Sequence, residues 1–462
     1  MIKSINPFNG KGIKSYPIHA KRELKSIIKD ADVAFQDWRK KSISERAKKM
    51  KRAGKILLKN KKVYAELMTL EMGKPITEAI SEIEKCAKVC DYYADNAAKF
   101  LKNKTIKTEA QKSYVTYQPL GVILAVMPWN FPFWQVFRFA APTLMAGNTA
   151  ILKHASNVSG CALAIQEILE KAGFPKGVFS AVLTPSKNVQ SILENPLVKA
   201  VSFTGSGPAG SAVAMTAGKS LKKSLLELGG NDAYLVLEDA DLKIAVEKSV
   251  ASRMINVGQS CIGAKRIIVV ESVYDEFLKM IESKLKKYKI GDPRKKETKI
   301  GPMARMDLRD EVHEQVTKSI KDGAELIMGG KTPKRMGAFY PVTLLSKVKP
   351  GMVAFEEEIF GPVVSLIKAK DEEEVIAMAN DSDFGLGAAI FSRDIKKAQR
   401  IAEEEIEAGA LAINDFVRSD PRLPFGGVKQ SGFGRELSQE GILEFVNVKT
   451  VVVSGNKNNY EL

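Results

Sequence analysis

The sequence predicts an α/β protein: a doubly wound parallel sheet, a second α/β unit after it, and a small β-arm. Three observations carry this: a length of 462 residues, a regular alternation of strand and helix signals over 121–228, and a second alternation beginning near Gly230. A chain of this length exceeds what one hydrophobic core fills, so it divides into two or three packed units. Alternating βαβ signals imply a parallel sheet that binds ligands at the carboxyl ends of its strands.

Residues 1 to about 100 read as mainly helical after a short strand-rich start. Ser42-Ile-Ser-Glu45 is a capping box opening a helix whose apolar stripe is Ala47, Met50, Ala53, Ile56 and Leu57, with lysines on the opposite face. Lys99 to Tyr117 is polar and alternating, the pattern of a β-arm. Gly121 to Pro128 is a buried strand, Trp134 to Met145 a helix stopped by Gly147, and Thr149 to Leu152 a second strand. A helix from about Val158 to Ala172 closes at Gly173 and Pro175, and strands follow at Gly177 to Val182 and Ala200 to Phe203. The second alternation places strands near Ala233 to Leu237, Arg266 to Val270 and Ala388 to Phe391, and Val446 to Val453 can pair with the polar arm.

Composition narrows the function classes. The apolar runs are far shorter than the ~20 residues a bilayer crossing requires, so no membrane partner is expected. The first residues lack a secretory pattern, which gives a cytoplasmic expectation. Four cysteines without a CxxC and three scattered histidines argue against structural zinc, any other metal and a disulfide framework; Cys86 and Cys90, four apart on a helix, read as packing residues. The net charge of +17, densest over Arg39 to Lys62, raises the question of nucleic acid. No aromatic residues interleave with those charges, so no nucleic-acid partner is expected, and the charge instead favours anionic small molecules.

Gly205-Ser-Gly207-Pro-Ala-Gly210 is a GxGxxG between a strand and a helix, where glycines let backbone N–H groups approach a pyrophosphate. Alone the pattern is weak evidence, but its setting between a strand and a helix favours nucleotide contact over a purely structural tight turn. Glu227, 22 residues after Gly205, stands where the fingerprint places a ribose ligand, but it also sits at a strand end feeding Gly229 and Gly230, and another role competes for it. Cys261 follows the small-residue approach Asn256-Val-Gly-Gln-Ser, which suits an accessible thiol; nothing in that spacing separates a nucleophile from a packing cysteine.

Six segments in order resemble motifs of the aldehyde dehydrogenase superfamily: Pro128-Trp-Asn-Phe-Pro132, Phe203-Thr-Gly-Ser206, Leu226-Glu-Leu-Gly-Gly230, Gly258-Gln-Ser-Cys261, Glu357-Glu-Ile-Phe-Gly-Pro362, and Pro424 through Arg435. Trp129-Asn-Phe-Pro-Phe-Trp-Gln-Val and Leu152-Lys-His-Ala-Ser-Asn-Val resemble the short bacterial and archaeal succinate-semialdehyde dehydrogenases. The resemblance implies a Rossmann-like NAD(P)-binding domain from 1–98 and 118–229, a catalytic domain at 230–442, and an oligomerisation arm from 99–117 with 443–456. The implied assembly is a homodimer or homotetramer. It implies Cys261 as nucleophile, Glu227 as general base and Asn130 as oxyanion donor, which reassigns Glu227 from ribose to water. It implies cofactor contacts from Trp129, Lys153, Ser156, Gly205, Ser206, Glu358 and Phe360. Many NAD-preferring members carry a glutamate where this chain has Ser156, and a serine beside Lys153 can accept a 2′-phosphate, so NADP is expected to be used alongside NAD, with their order open.

The implied substrate is a small aldehyde, succinate semialdehyde foremost, with glutarate semialdehyde or lactaldehyde as alternatives. Arg138 matches an arginine that binds the far carboxylate, and Ser419, Arg418 or Arg422 are candidates to assist it, because a second family arginine is replaced here by Ile255. Two other readings stand beside this one. A reductase or CoA-acylating enzyme would not need Glu227, and a non-enzymatic basic binding protein would not need Cys261.

Overall fold

The computed structural model describes residues 1–454. A hairpin of Ile2–Ile5 and Gly12–Tyr16 is followed by four helices, Lys21–Trp38, Ile43–Lys59, Lys61–Met72 and Ile76–Phe100. The second helix starts at the expected capping box: Glu45 N–H donates to Ser42 Oγ at 3.2 Å, and Ser42 N–H donates to the Glu45 carboxylate at 2.8 Å. Met50, Ala53 and Leu57 are buried beneath it, while Ala47 and Ile56 are half-buried.

The strand Val122–Met127 is the centre of a six-stranded sheet. It pairs in parallel with Thr149–His154 on one side and Val198–Thr204 on the other. Phe179–Ala181 extends the first side and Lys223–Glu227 the second, with Gly432–Phe433 added antiparallel at that edge. Every residue of Val122–Met127 is buried because both faces are covered. Ile123, Ala125 and Met127 pack with residues of the helices Ile76–Phe100 and Trp134–Ala146, whereas Val122, Leu124 and Val126 pack with Leu24, Ile28 and Val213. The chain winds outward from the centre, crosses back and winds the other way, so a crevice opens at the carboxyl ends of Val122–Met127 and Val198–Thr204.

The second sheet has seven strands in the order Glu325–Met328, Thr343–Val348, Val363–Ala369, Arg266–Val270, Ala233–Val236, Gly387–Phe391 and Ala410–Ile413. All pairings are parallel except that of the first strand. A third sheet joins Lys104–Ile106, Lys112–Pro119 and Val446–Val453, the last two in continuous antiparallel register from Val446 opposite Pro119 to Val453 opposite Lys112. Asn148 ties this arm to the first sheet, since its Oδ1 accepts the Gly121 N–H at 3.0 Å and its Nδ2 donates to Phe445 O at 2.9 Å. The expected arm range 443–456 extends two residues beyond the described ones. Among the described residues, no helix is long and apolar enough to cross a membrane.

Three details depart from the sequence reading. The strand Thr149–His154 runs two residues longer, carrying Lys153 to the sheet's carboxyl edge, and a short 3-10 turn, Ser156–Val158, precedes the helix Ser159–Lys171. The edge strand Gly432–Phe433 is too short to give a periodic signal, yet it returns the C-terminal segment to the first sheet beside Glu227.

Candidate active site

Cys261 stands on a strained loop. After the helix Leu242–Met254 the chain passes through Asn256 (φ 53°) and Val257 (φ 58°), both left-handed, and Gly258 at φ 75°. Such backbone costs about 1–3 kcal/mol per non-glycine residue and persists only where surroundings over-determine it. A Cβ on Gly258 would lie 2.1 Å from Gly361 O, so the loop and the segment after Phe360 cross with no room to spare.

The buried guanidinium of Arg253 holds that crossing. It donates to Val363 O and Ile359 O, each at 2.5 Å, to Gly258 O at 3.2 Å, and to Gly361 O. Asn256 N–H donates to Glu78 at 2.6 Å, and Asn256 Nδ2 donates to Asn130 O at 2.7 Å and Gln259 O at 3.1 Å. Lys265 closes the other end, donating to Ser260 O at 3.0 Å and Cys261 O at 2.5 Å while pairing with Glu358 at 2.8 Å. None of Arg253, Lys265 or Glu78 was singled out from sequence; each is an isolated charged residue whose partners are distant or main-chain.

Cys261 lines a cavity of about 580 Å³ together with Arg138, Ser419, Lys85, Trp134, Phe131 and Phe425. Of the four cysteines it alone is not fully buried. Its thiol is nevertheless enclosed, and burial pushes it up to about 12; Lys265 and Arg138 pull it down, while Glu358 and Glu227 push it further up. Glu227 and Asn130 are not part of the cavity lining. Asn130 joins the loop through its Nδ2, which donates to Gln259 O at 3.3 Å, two residues before Cys261.

Glu227 ends the strand Lys223–Glu227, and its carbonyl accepts the Gly205 N–H at 3.0 Å, so the sheet places it beside the glycine loop. Its carboxyl is buried, with Oε1 lacking a hydrogen-bond partner among the described residues. Desolvation holds it well above the usual carboxylate range, against the pull of Arg138 and then Arg435. Arg138 does not present the free cation expected of it. Its Nε makes a close ion pair with Glu436 without directed hydrogen-bond geometry, and its guanidinium stacks 4.9 Å from the Phe425 ring centroid. Arg418 and Arg422 are likewise committed, to Asp415 at 2.6 Å and Asp420 at 2.7 Å.

At the sheet's crevice, Lys153 is buried with no acidic partner among the described residues, and burial lowers its pKa. Ser156 is exposed two residues beyond the strand end. Ser206 caps the helix Gly207–Lys219 without spending its side chain, and a Cβ at Gly207 would meet nothing within 4 Å. A buried cation seeking an anion, the open face at Gly207 and a helix N-terminus fit a nucleotide carrying phosphates. Trp129 and Phe360 meet edge to face at 5.9 Å, beside Glu358. The loop that carries Cys261 is therefore tied to the wall of the same crevice.

Because the thiolate is the reactive form, a thiol held near 12 should alkylate with iodoacetamide ever faster as pH rises past 9, where an exposed cysteine would already have levelled. Mass spectrometry should place the label on Cys261 first, with Cys86, Cys90 and Cys161 protected, and Arg138→Met should slow it. A plateau near pH 8.5 would contradict the electrostatic account.

Residues 1–451 match the family model for the aldehyde dehydrogenase family. The chain is 47% identical over 453 residues to a probable succinate-semialdehyde dehydrogenase [NADP(+)] of Synechocystis sp., covering 98% of this chain and 100% of that protein. It is 45% identical over 448 residues to the succinate semialdehyde dehydrogenase [NAD(P)+] Sad of Escherichia coli K12, covering 97% of each. Among solved structures, succinic semialdehyde dehydrogenase from Streptococcus pyogenes in complex with NADP+ superposes with a TM-score of 0.96 at 37% identity, covering 98% of this chain and 100% of that one. The motifs, the two sheets and these likenesses agree: the chain belongs to the aldehyde dehydrogenase family.

Proposed function

We propose that this protein oxidises succinate semialdehyde to succinate with NADP, and with NAD as a second cofactor. The observation that carries the reading is a lone accessible cysteine at a cavity lined by basic side chains, on a loop joined to a phosphate-fitting crevice. Lys153 and Ser156 would hold a 2′-phosphate, Gly205 and Ser206 the pyrophosphate, and Glu358, Phe360 and Trp129 the nicotinamide end. The bound nicotinamide supplies the acceptor for the substrate's hydride.

The protein's own part begins at Cys261, whose thiolate adds to the aldehyde carbon to form a thiohemiacetal. The alkoxide so formed needs preorganised donors, for which the Asn130 amide and the Cys261 backbone N–H are the candidates. Lys265 and Arg138 favour the thiolate electrostatically. The acyl group left on Cys261 as a thioester is released by water, and Glu227 is the proposed base that takes the water's proton. A protonated Glu227 adds no negative charge beside the forming thiolate; ionised, it can serve the later step.

Cys261→Ser should abolish oxidation. Glu227→Gln should retain a first burst of NADPH and lose about 10²–10⁴-fold in steady turnover. Wild-type turnover should keep rising with pH beyond the ordinary carboxylate range, because only ionised Glu227 is a base and its folded pKa is raised. Full steady-state activity in the glutamine variant would remove Glu227 from the mechanism.

Ser156→Glu tests the cofactor reading. A carboxylate there repels a 2′-phosphate, so the ratio of kcat/KM for NADP over NAD should fall by about tenfold or more, roughly one charged contact. An unchanged ratio in initial-rate assays would leave Ser156 without that role.

We infer further that the three-stranded arm mediates self-association, because Ile106, Val448, Val452 and Val453 are exposed along it. Val448→Lys with Val452→Lys should shift the protein to a smaller species in size-exclusion chromatography with light scattering, and an unchanged mass would overturn this.

A further inference from the structure

Four basic side chains line the cavity in front of Cys261: Lys85, Lys88, Arg138 and Arg418. Arg138 is paired with Glu436 and Arg418 with Asp415, and Lys88 is exposed to solvent. Lys85 differs from all three. It projects from the middle of the helix Ile76–Phe100, is half-buried, and makes no ion pair among the described residues. The oxidation steps above give it no part.

Its surroundings work against a charged amine. Phe131, Trp134 and Phe425 line the same cavity, and the Trp134 ring centroid lies 3.9 Å from Lys85 Nζ. The carboxylates around it are committed elsewhere: Glu82 to Lys74, Asp420 to Arg422 at 2.7 Å, and Glu78 to the Asn256 N–H at 2.6 Å. Burial and then the Arg138 charge push Lys85 down to about 7, opposed by Cys86 and Glu82 on its own helix and by Asp420 on the facing loop. A lysine that is desolvated and set beside a second cation is a nucleophile near neutral pH.

The hydrogen bonding holds the nitrogen in place without consuming it. Lys85 Nζ donates to Ser419 Oγ at 2.8 Å, and the same oxygen accepts from Trp134 Nε1 at 3.0 Å, so the serine is itself anchored. Among the described residues no other group hydrogen-bonds to Lys85 Nζ. As a neutral amine it therefore has one N–H engaged and its lone pair uncommitted, in the wall of a cavity that also holds Cys261.

We propose that Lys85 is a second aldehyde-capturing nucleophile, whose amine condenses with an aldehyde in this cavity to give a reversible imine that holds the enzyme out of its oxidative cycle. The proposal rests on the reading of this cavity as an aldehyde site. The step needs no further reactant: Nζ adds to the carbonyl carbon, a proton passes from nitrogen to oxygen, and the C–O bond breaks to release water as the C=N bond forms. Nothing is oxidised or reduced. Water added back regenerates the amine and the aldehyde. An aldehyde captured by Cys261 goes forward to the thioester, whereas one captured by Lys85 occupies the cavity until it is hydrolysed, so a high aldehyde concentration slows turnover.

The sequence did not single out Lys85. Its neighbours Trp134, Arg138, Ser419 and Asp420 come from segments far along the chain, and no local period joins them.

The test incubates Cys261→Ser, which cannot consume the aldehyde, with succinate semialdehyde and sodium cyanoborohydride, a reductant that converts an imine to a stable secondary amine. Peptide mass spectrometry at pH 7 should find Lys85 labelled first, because its neutral fraction there is about 10³-fold that of an ordinary lysine. As pH rises, the Lys85 label should level once its lowered pKa is passed, while exposed lysines go on gaining label. Lys85→Arg, which keeps the cation and forms no such imine, should lose the label; with Cys261 intact it should also remove the fall in initial rate at high succinate semialdehyde. Lys85→Gln covers the case in which the arginine variant does not fold. Label spread over exposed lysines without preference for Lys85, or an active wild type whose rate never falls, would overturn the assignment. The two readings fail separately. A wild type that oxidises no aldehyde while Lys85 is still labelled leaves the imine standing, and a wild type that oxidises succinate semialdehyde while Lys85 stays unlabelled ends it.

Discussion

The buried guanidinium of Arg253 is the interaction on which the arrangement rests. Among the described residues it has no carboxylate partner in contact; four main-chain carbonyls, from Gly258, Ile359, Gly361 and Val363, receive its protons instead. Burial lowers its pKa only to about 10, so it remains charged at neutral pH. A charge satisfied by carbonyl dipoles fixes backbone, and here it fixes two backbones at once: the loop leading to Cys261 and the segment carrying Phe360. Substituting Arg253 would leave those carbonyls buried without donors, a cost of about 1–3 kcal/mol for each. The left-handed Asn256 and Val257 persist because this clamp, with the Glu78 and Asn130 contacts, leaves the loop no relaxed alternative.

Around that clamp the charges follow a consistent logic. Buried carboxylates cap chain turns: Glu82 accepts the Phe133 and Trp134 N–H groups at 2.9 Å each while pairing with Lys74, and so orients the segment that contains Asn130 and the helix that carries Arg138. Glu227 and Glu436 share one cation, Arg138, in a dry setting, and both are raised. Two carboxylates competing for one guanidinium cannot both ionise at little cost. A reserve of proton-binding capacity therefore lies behind the cavity wall, close enough to the Cys261 thiol to act on it electrostatically.

The two sheets divide the task geometrically. The first brings a glycine loop, Lys153 and Glu227 to one edge because its strands wind outward from Val122–Met127 in both directions. The second supplies the loop between Met254 and Arg266, which ends in the strand Arg266–Val270 at its own sheet's centre. Cys261 and Ile262 pack against the core beneath the first sheet, so the loop that carries Cys261 is held from both sides.

Features that depend on local pattern were legible in the amino-acid sequence. The βαβ alternation placed the strands it named within one or two residues and passed over others, such as Thr343–Val348 and Val363–Ala369; the Ser42 capping box set a helix start, and short motifs singled out Cys261, Glu227, Asn130 and the glycine loop as candidates. Two things it could not contain. Pairings between residues far apart in the chain, such as Arg138 with Glu436 or Lys85 with Ser419, have no period and no spacing, so the arginine expected to be free proved to be paired and a lysine the sequence did not single out proved to line the cavity. Burial, likewise, is a property of the packed whole: only tertiary structure decides which charged groups are dry, and dryness is what shifts Cys261, Glu227 and Lys85 away from their ordinary protonation.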